Sequence, residues 1–170
     1  MWRAALATAT LLVIAAAGHA QANPPCAGPA FRQFDFFAGD WDTYDLGDSS
    51  RVVARNLVTP ILDGCVLREF YHQNDGLTGE SYSLYDASRG GWHQSWVTNR
   101  GGLLLLDGGL DGTRMVLTGA ERKPGGTASL LRAVWWADGE NVREKAERST
   151  DGGKTWTPVF DIVFRPHRPT

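Results

Sequence analysis

Glu69 is the residue of this chain best placed to do chemistry. It lies in the middle of Cys65-Val66-Leu67-Arg68-Glu69-Phe70-Tyr71, where alternation sets Leu67, Glu69 and Tyr71 on one face and Arg68 on the other. If the Leu67 face is interior, the carboxyl is desolvated and its pKa rises. A carboxyl titrating near neutrality serves as a general acid or base, or holds a ligand hydroxyl. The competing register leaves Glu69 in solvent or in an ion pair, because an unpaired charge inside a protein is costly.

A second group lies in Trp92-His93-Gln94-Ser95-Trp96, which places two indoles and an amide on one face. An amide flanked by indoles needs a hydrogen-bond partner, so Gln94 is the best candidate among the polar strand residues. Asn56, Ser81 and Ser83 are weaker ones of the same kind, able to orient a ligand in a mainly apolar pocket. Serine in a strand is also commonly just tolerated. Trp41, Trp92, Trp96, Trp135, Trp136 and Trp156 all follow the N-terminal leader. Aromatic residues suit pleated surfaces on packing grounds alone. As cavity walls, Trp92 and Trp96 would instead stack on a planar or apolar ligand. Trp135 and Trp136 are adjacent on a strand, so only one of them faces inward.

Other chemistries are excluded or unsupported. Alternation puts His72 opposite Glu69 and His93 opposite Gln94, and His167 lies in the tail. The histidines therefore do not converge, and neither a metal nor another cofactor is expected. No G-x-S-x-G elbow, H-E-x-x-H pair, P-loop or dinucleotide fingerprint is present. Ser149-Thr150-Asp151-Gly152-Gly153-Lys154-Thr155-Trp156 matches the Asp-box of sialidases and propellers, a structural hairpin repeated once per blade. It occurs once here, so a glycosidase does not follow. Asp151 is expected to cap the turn amides and Trp156 to pack inward.

These residues need a scaffold of strands. Period-2 alternation recurs about every ten residues, with candidate strands at 41–46, 51–59, 65–73, 80–86, 91–97, 102–107, 114–117, 129–137, 141–148 and 155–165. Leu62-Asp63-Gly64, Asn74-Asp75-Gly76, Asp111-Gly112 and Asp138-Gly139 read as hairpin turns with positive φ. Ten successive strands predict an all-β, antiparallel up-and-down barrel, a closure that removes aggregating edges. Only residues 29–37 suggest a turn or two of helix, as a lid or plug at one end. Trp156, Phe160, Ile162 and Phe164 are expected inside. Residues 103–106 lack alternation, which predicts cover on both faces.

Residues 1–22 read as a cleavable secretory leader: Arg3, an apolar run over 4–17, then Ala20-Gln21-Ala22 or Gly18-His19-Ala20 as the cleavage step. The run falls short of the roughly 20 residues that span a bilayer. Cys26 close behind raises lipid anchoring as an alternative, but Asn23-Pro24-Pro25 lacks the Leu and small residues of a lipidation site. The mature domain, 23–170, is expected in a periplasm or secreted, with no membrane span. The chain has 17 basic and 19 acidic side chains, and Arg3 leaves with the leader, for a net charge of about −3. The basic residues are scattered, which argues against nucleic acid as a partner. Cys26 and Cys65 are most economically one disulfide in an oxidising compartment. A redox thiol would want a C-x-x-C, which is missing.

Taken in order, Phe34–Trp41 (F-D-F-x-x-G-x-W), Gly64–Glu69 (G-C-V-L-x-E), Gly79–Asp86 (G-x-S-x-x-Y-D), Trp92–Trp96 (W-x-Q-x-W) and Ser149–Trp156 resemble a family of largely uncharacterised bacterial secreted domains with a calycin-like, lipocalin-like barrel. The likeness covers nearly the whole mature chain. Thr98 stands where that pattern often has Asp, and Glu144 where it often has Gln. The resemblance implies the fold, with Trp41 closing the floor of a cup, and singles out Trp41, Glu69, Ser81, Gln94 and Trp96. It implies little about chemistry.

Three functions remain open at this stage. The first is an exported barrel binding a small apolar or aromatic molecule, contacted by Trp41, Asn56, Glu69, Tyr71, Ser81, Trp92, Gln94 and Trp96. The second is a barrel enzyme doing isomerase- or lyase-type proton transfer through Glu69. The third is an envelope interaction module with a packed interior. The ligand and the oligomeric state are not written in the sequence.

Overall fold

Sharp reversals cut this chain into strands. At 62–64 three successive residues, Leu62, Asp63 and Gly64, hold φ values of 51°, 57° and 81°. That left-handed run turns the backbone tightly and returns the next strand beside the last. In the computed structural model, which describes residues 25–122 and 128–169, ten strands follow one another in this way. They are β1 (Gly39–Asp45), β2 (Asp48–Ile61), β3 (Val66–Gln73), β4 (Thr78–Asp86), β5 (Gly91–Thr98), β6 (Leu103–Asp111), β7 (Arg114–Glu121), β8 (Ser129–Asp138), β9 (Asn141–Ser149) and β10 (Thr157–Pro166). Each pairs antiparallel with its neighbours in sequence, and β1 pairs with β10 from Trp41↔Pro166 to Asp45↔Ile162. The result is a closed up-and-down barrel. The expected leader, residues 1–22, lies outside the described residues.

The lead-in forms two short 3₁₀ turns, Pro29–Arg32 and Asp35–Phe37, which plug one end. Phe34 and Phe37 stack 5.3 Å apart and are fully enclosed. Phe34 meets Trp92 edge-on at 5.7 Å and Trp135 at 5.4 Å, while Phe37 meets Phe164 at 5.3 Å. Such tilted aromatic pairs add to the burial of large apolar area. Polar ties set the angle of entry: Trp41 Nε1–H donates to the Phe37 carbonyl at 3.0 Å and Trp92 Nε1–H to Gln33 Oε1 at 3.0 Å. The Arg32 guanidinium bonds the Gly64 carbonyl, and Cys26–Cys65 is a disulfide. Both ties hold the plug to the β2–β3 turn.

Two expectations need correction. Trp156 does not join the inward face of the last strand, which begins at Thr157. Its Nε1–H donates to the Gly153 carbonyl at 3.1 Å, and its ring packs 4.1 Å from the Arg132 guanidinium on the outer wall. Capping by Asp151 pulls it there: Oδ1 accepts from Lys154 and Thr155 N–H groups at 3.0 and 2.9 Å, which closes the turn outside the barrel. Residues 103–106, expected to be covered on both faces, do alternate. Leu104 and Leu106 point inward, whereas Leu103 and Leu105 are 64 % and 47 % exposed.

The disulfide closes a separation of 39 residues and pins the plug. On the chain-entropy account its reduction is expected to cost about 3–4 kcal/mol of stability. Urea unfolding of the mature domain with and without dithiothreitol measures this, and a Cys26→Ala/Cys65→Ala double variant should match the reduced protein.

Candidate functional site

Above the aromatic plug the wall of the barrel turns polar. Small residues, Ala54, Gly79, Ser81, Ala133 and Ala146, are buried on the inward faces of the strands. β3 delivers Glu69 into that space with only 8 % of its surface exposed. Asn56 Nδ2–H donates to Glu69 Oε1 at 2.9 Å, and the Ser81 hydroxyl donates to Oε2 at 2.7 Å. Gln94 Nε2–H then donates to Ser83 Oγ at 3.0 Å and more weakly to Ser81 Oγ at 3.4 Å. Ser81 thus gives its proton to the carboxylate while accepting from the amide. Four strands, β2 to β5, contribute to one polarised chain of hydrogen bonds.

One level above, Tyr71 and Trp96 meet edge-on at 6.0 Å. Trp96 fits because Gly79 lies beneath it: a Cβ there would come within 2.3 Å of the indole ring. This contact gives Gly79 a packing role.

Glu144 completes the site, and the sequence reading did not select it. β9 pairs it with Trp135 on one side and Ile162 on the other, both in or against the core. The residue is half-buried and lies at the inward parity of β9, with Val142 and Ala146. Desolvation pushes the Glu144 carboxyl well above the usual range, and the charge of Glu69 pushes it further, with partial relief from the Trp135 indole N–H. Glu69 is also raised by burial, but its bonds from Ser81 and Asn56 oppose the rise. Burial lifts Tyr71 as well, aided by Glu144, Glu69 and Asp75. Glu69, which receives hydrogen bonds from Asn56 and Ser81, is the member of the pair better fitted to carry a charge, and Glu144 the one better fitted to hold a proton. Two carboxyls whose surroundings separate them in this way form an acid–base couple.

Three interior polar atoms have no hydrogen-bond partner of normal geometry among the described residues: Thr43 Oγ1, Asn56 Oδ1 and Trp135 Nε1. They lie on β1, β2 and β8; β2 pairs with the strand of Glu69, and β8 with the strand of Glu144.

The structure brings Asn56, Glu69, Ser81 and Gln94 into direct contact, with Tyr71 and Trp96 adjacent. Trp41 sits in the floor, bonded to the plug. Trp92 is also part of that floor, packed by Phe34 and tied to Gln33, below the polar layer. His72 is exposed, His93 pairs with Asp107 at 3.0 Å on the outer wall, and His167 pairs with Asp42. Among the described residues no three His, Cys, Asp or Glu side chains are grouped as metal ligands would be.

The two raised carboxyls link pH to stability. A carboxyl raised on folding contributes fully below its unfolded pKa, near 4.5, and that contribution is lost as pH climbs through the folded value. Glu144→Gln, which keeps the neutral shape, is therefore expected to melt higher than wild type at pH 8, with little difference at pH 4.5. Thermal unfolding of both proteins at the two pH values checks the sign.

No family model matches this chain, and no curated protein matches it. The reading of function therefore stands on the chemistry of the lumen.

Proposed function

We propose that this chain is an exported, calycin-like barrel that binds a small, mainly apolar or aromatic molecule in its lumen. Tyr71, Trp96, Leu104 and Ile162 supply the apolar contact. The chain Asn56–Glu69–Ser81–Gln94 orients the polar end of the ligand. The observation that carries this reading is a connected polar layer with unpartnered atoms, set in an otherwise apolar closed wall. Binding sites have that composition: apolar lining with a few convergent polar groups. Export is supported by the leader-like residues 1–22 and by the Cys26–Cys65 bridge, since such bonds persist in oxidising compartments.

The Glu69–Glu144 couple favours one second reading, proton transfer of the isomerase or lyase kind. Glu69 would act as the base and Glu144 as the acid.

Titration with the neutral fluorophore N-phenyl-1-naphthylamine, followed by indole quenching, tests the binding reading. Saturable binding is expected, and Trp96→Ala should weaken it by about tenfold, as lost aromatic contact in a small site does. An absence of saturable binding would overturn the proposal. Glu69→Gln separates the two readings: affinity should fall only modestly, whereas any turnover resting on Glu69 should fall by about 10²-fold or more.

A further inference from the structure

Accepting that the lumen is a binding site, we infer that its ligand carries an organic cation, a primary or secondary ammonium on an apolar or aromatic body, held between Glu69 and Glu144 beside the Tyr71 and Trp96 rings.

Charge inside the barrel is unbalanced. By alternation, the ionisable groups at inward parity on the strands are Asp45 at the exposed end of β1, Glu69 and Tyr71 on β3, Tyr85 on β4, Glu121 on β7, and Glu144 and Arg148 on β9. Asp75, in the β3–β4 turn, also acts on Tyr71 and is paired with Arg100. Arg148 is the single cation in that set, and it is committed at the rim, where its Nε and Nη2 donate to Glu121 at 2.6 and 3.0 Å. None of the described side chains brings a positive charge to Glu69 or Glu144. Two desolvated carboxyls in one space cannot both ionise without one.

The unpartnered atoms specify the sign of what is missing. Asn56 is 1 % exposed and gives its Nδ2–H to Glu69, so the amide's free atom beside the carboxylate is an acceptor, Oδ1. An ammonium is a donor with no acceptor capacity, and it meets Oδ1 and the carboxylates with three N–H groups. On the opposite wall the Trp135 indole N–H, short of normal hydrogen-bond geometry, lies next to Glu144 in register and already acts on its carboxyl. That contact strengthens when the carboxyl is a carboxylate. Tyr71 and Trp96 add electron-rich faces that attract a cation where water is excluded. An anionic ligand would meet repulsion from Glu69, and a neutral alcohol would leave the charge of Glu69 without a counter-charge.

Binding of such a cation displaces the proton held by Glu144. The ammonium keeps its protons, the Glu144 O–H bond breaks, and one proton leaves to solvent.

Calorimetric titration of the mature, disulfide-bonded protein at pH 6.5 with phenethylammonium, 2-phenylethanol and phenylacetate tests the inference. Running it in two buffers of different ionisation enthalpy counts the proton. The ammonium compound should bind about tenfold or more tighter than the alcohol, with phenylacetate weakest, and should release a proton. In Glu144→Gln the release should vanish and the preference for the ammonium over the alcohol should shrink to about threefold or less. Equal affinity for ammonium and alcohol, or ammonium binding without proton release, would overturn the inference. So would no ammonium binding while the neutral naphthylamine probe still binds, which leaves the binding reading intact. If that probe also fails, both fall together.

Discussion

The ladder between β1 and β10 is the constraint on which the other features rest. From Trp41↔Pro166 to Asp45↔Ile162 it joins the first strand to the last and turns a meander into a tube. An open sheet of ten strands would leave two unpaired edges and expose one whole face. Closure satisfies both edges and creates an inside. The aromatic plug then decides which part of that inside is solid. Phe34 and Phe37 fill the end where β1 begins, against Trp41, Trp92, Trp135 and Phe164. The disulfide and Arg32 hold the plug from outside. The polar layer lies directly above a floor that cannot collapse.

That layer is costly to keep. Hydrogen bonds recover much of the desolvation of Glu69, but Glu144 has no comparable set of donors, and three other polar atoms go unpaired. A core built only for stability would replace these groups with Leu or Val, as the walls below already do at Leu67, Leu106 and Leu117. Retaining two acids, two amides and two hydroxyls in one level costs stability that an apolar layer would not. The outer wall shows the opposite pattern. Pairs such as Arg68–Glu80, Arg132–Glu147 and Arg143–Asp161 cross neighbouring strands in solvent, where each contributes little.

Glu69 and Gln94 were legible as a site because they sit in strands with clean alternation, flanked by Leu67 and Tyr71 or by two tryptophans. Glu144 was not, because Asn141-Val142-Arg143-Glu144-Lys145-Ala146-Glu147-Arg148 is charged on both faces and looks like a solvated ribbon. The faint signal was Val142 and Ala146, apolar at the same parity as Glu144. Trp156 misled for a related reason. Its parity matched Phe160 and Phe164, but the Asp151 turn holds it outside the strand on Arg132. Leu103 and Leu105 misled through composition, since four leucines in a row conceal an alternation that only burial exposes.

The sequence by itself determined the local events. Period-2 alternation, turns at residues that accept positive φ, and a single pair of cysteines specify short antiparallel strands and one bridge. Those are properties of neighbours along the chain, set by sterics and by which face a side chain must take. Only the tertiary structure decided which acids meet. Glu69 and Glu144 are six strands apart, and their mutual field depends on strand register and on closure of the tube. Electrostatics in a desolvated lumen act through space, and that distance is not written in the order of residues.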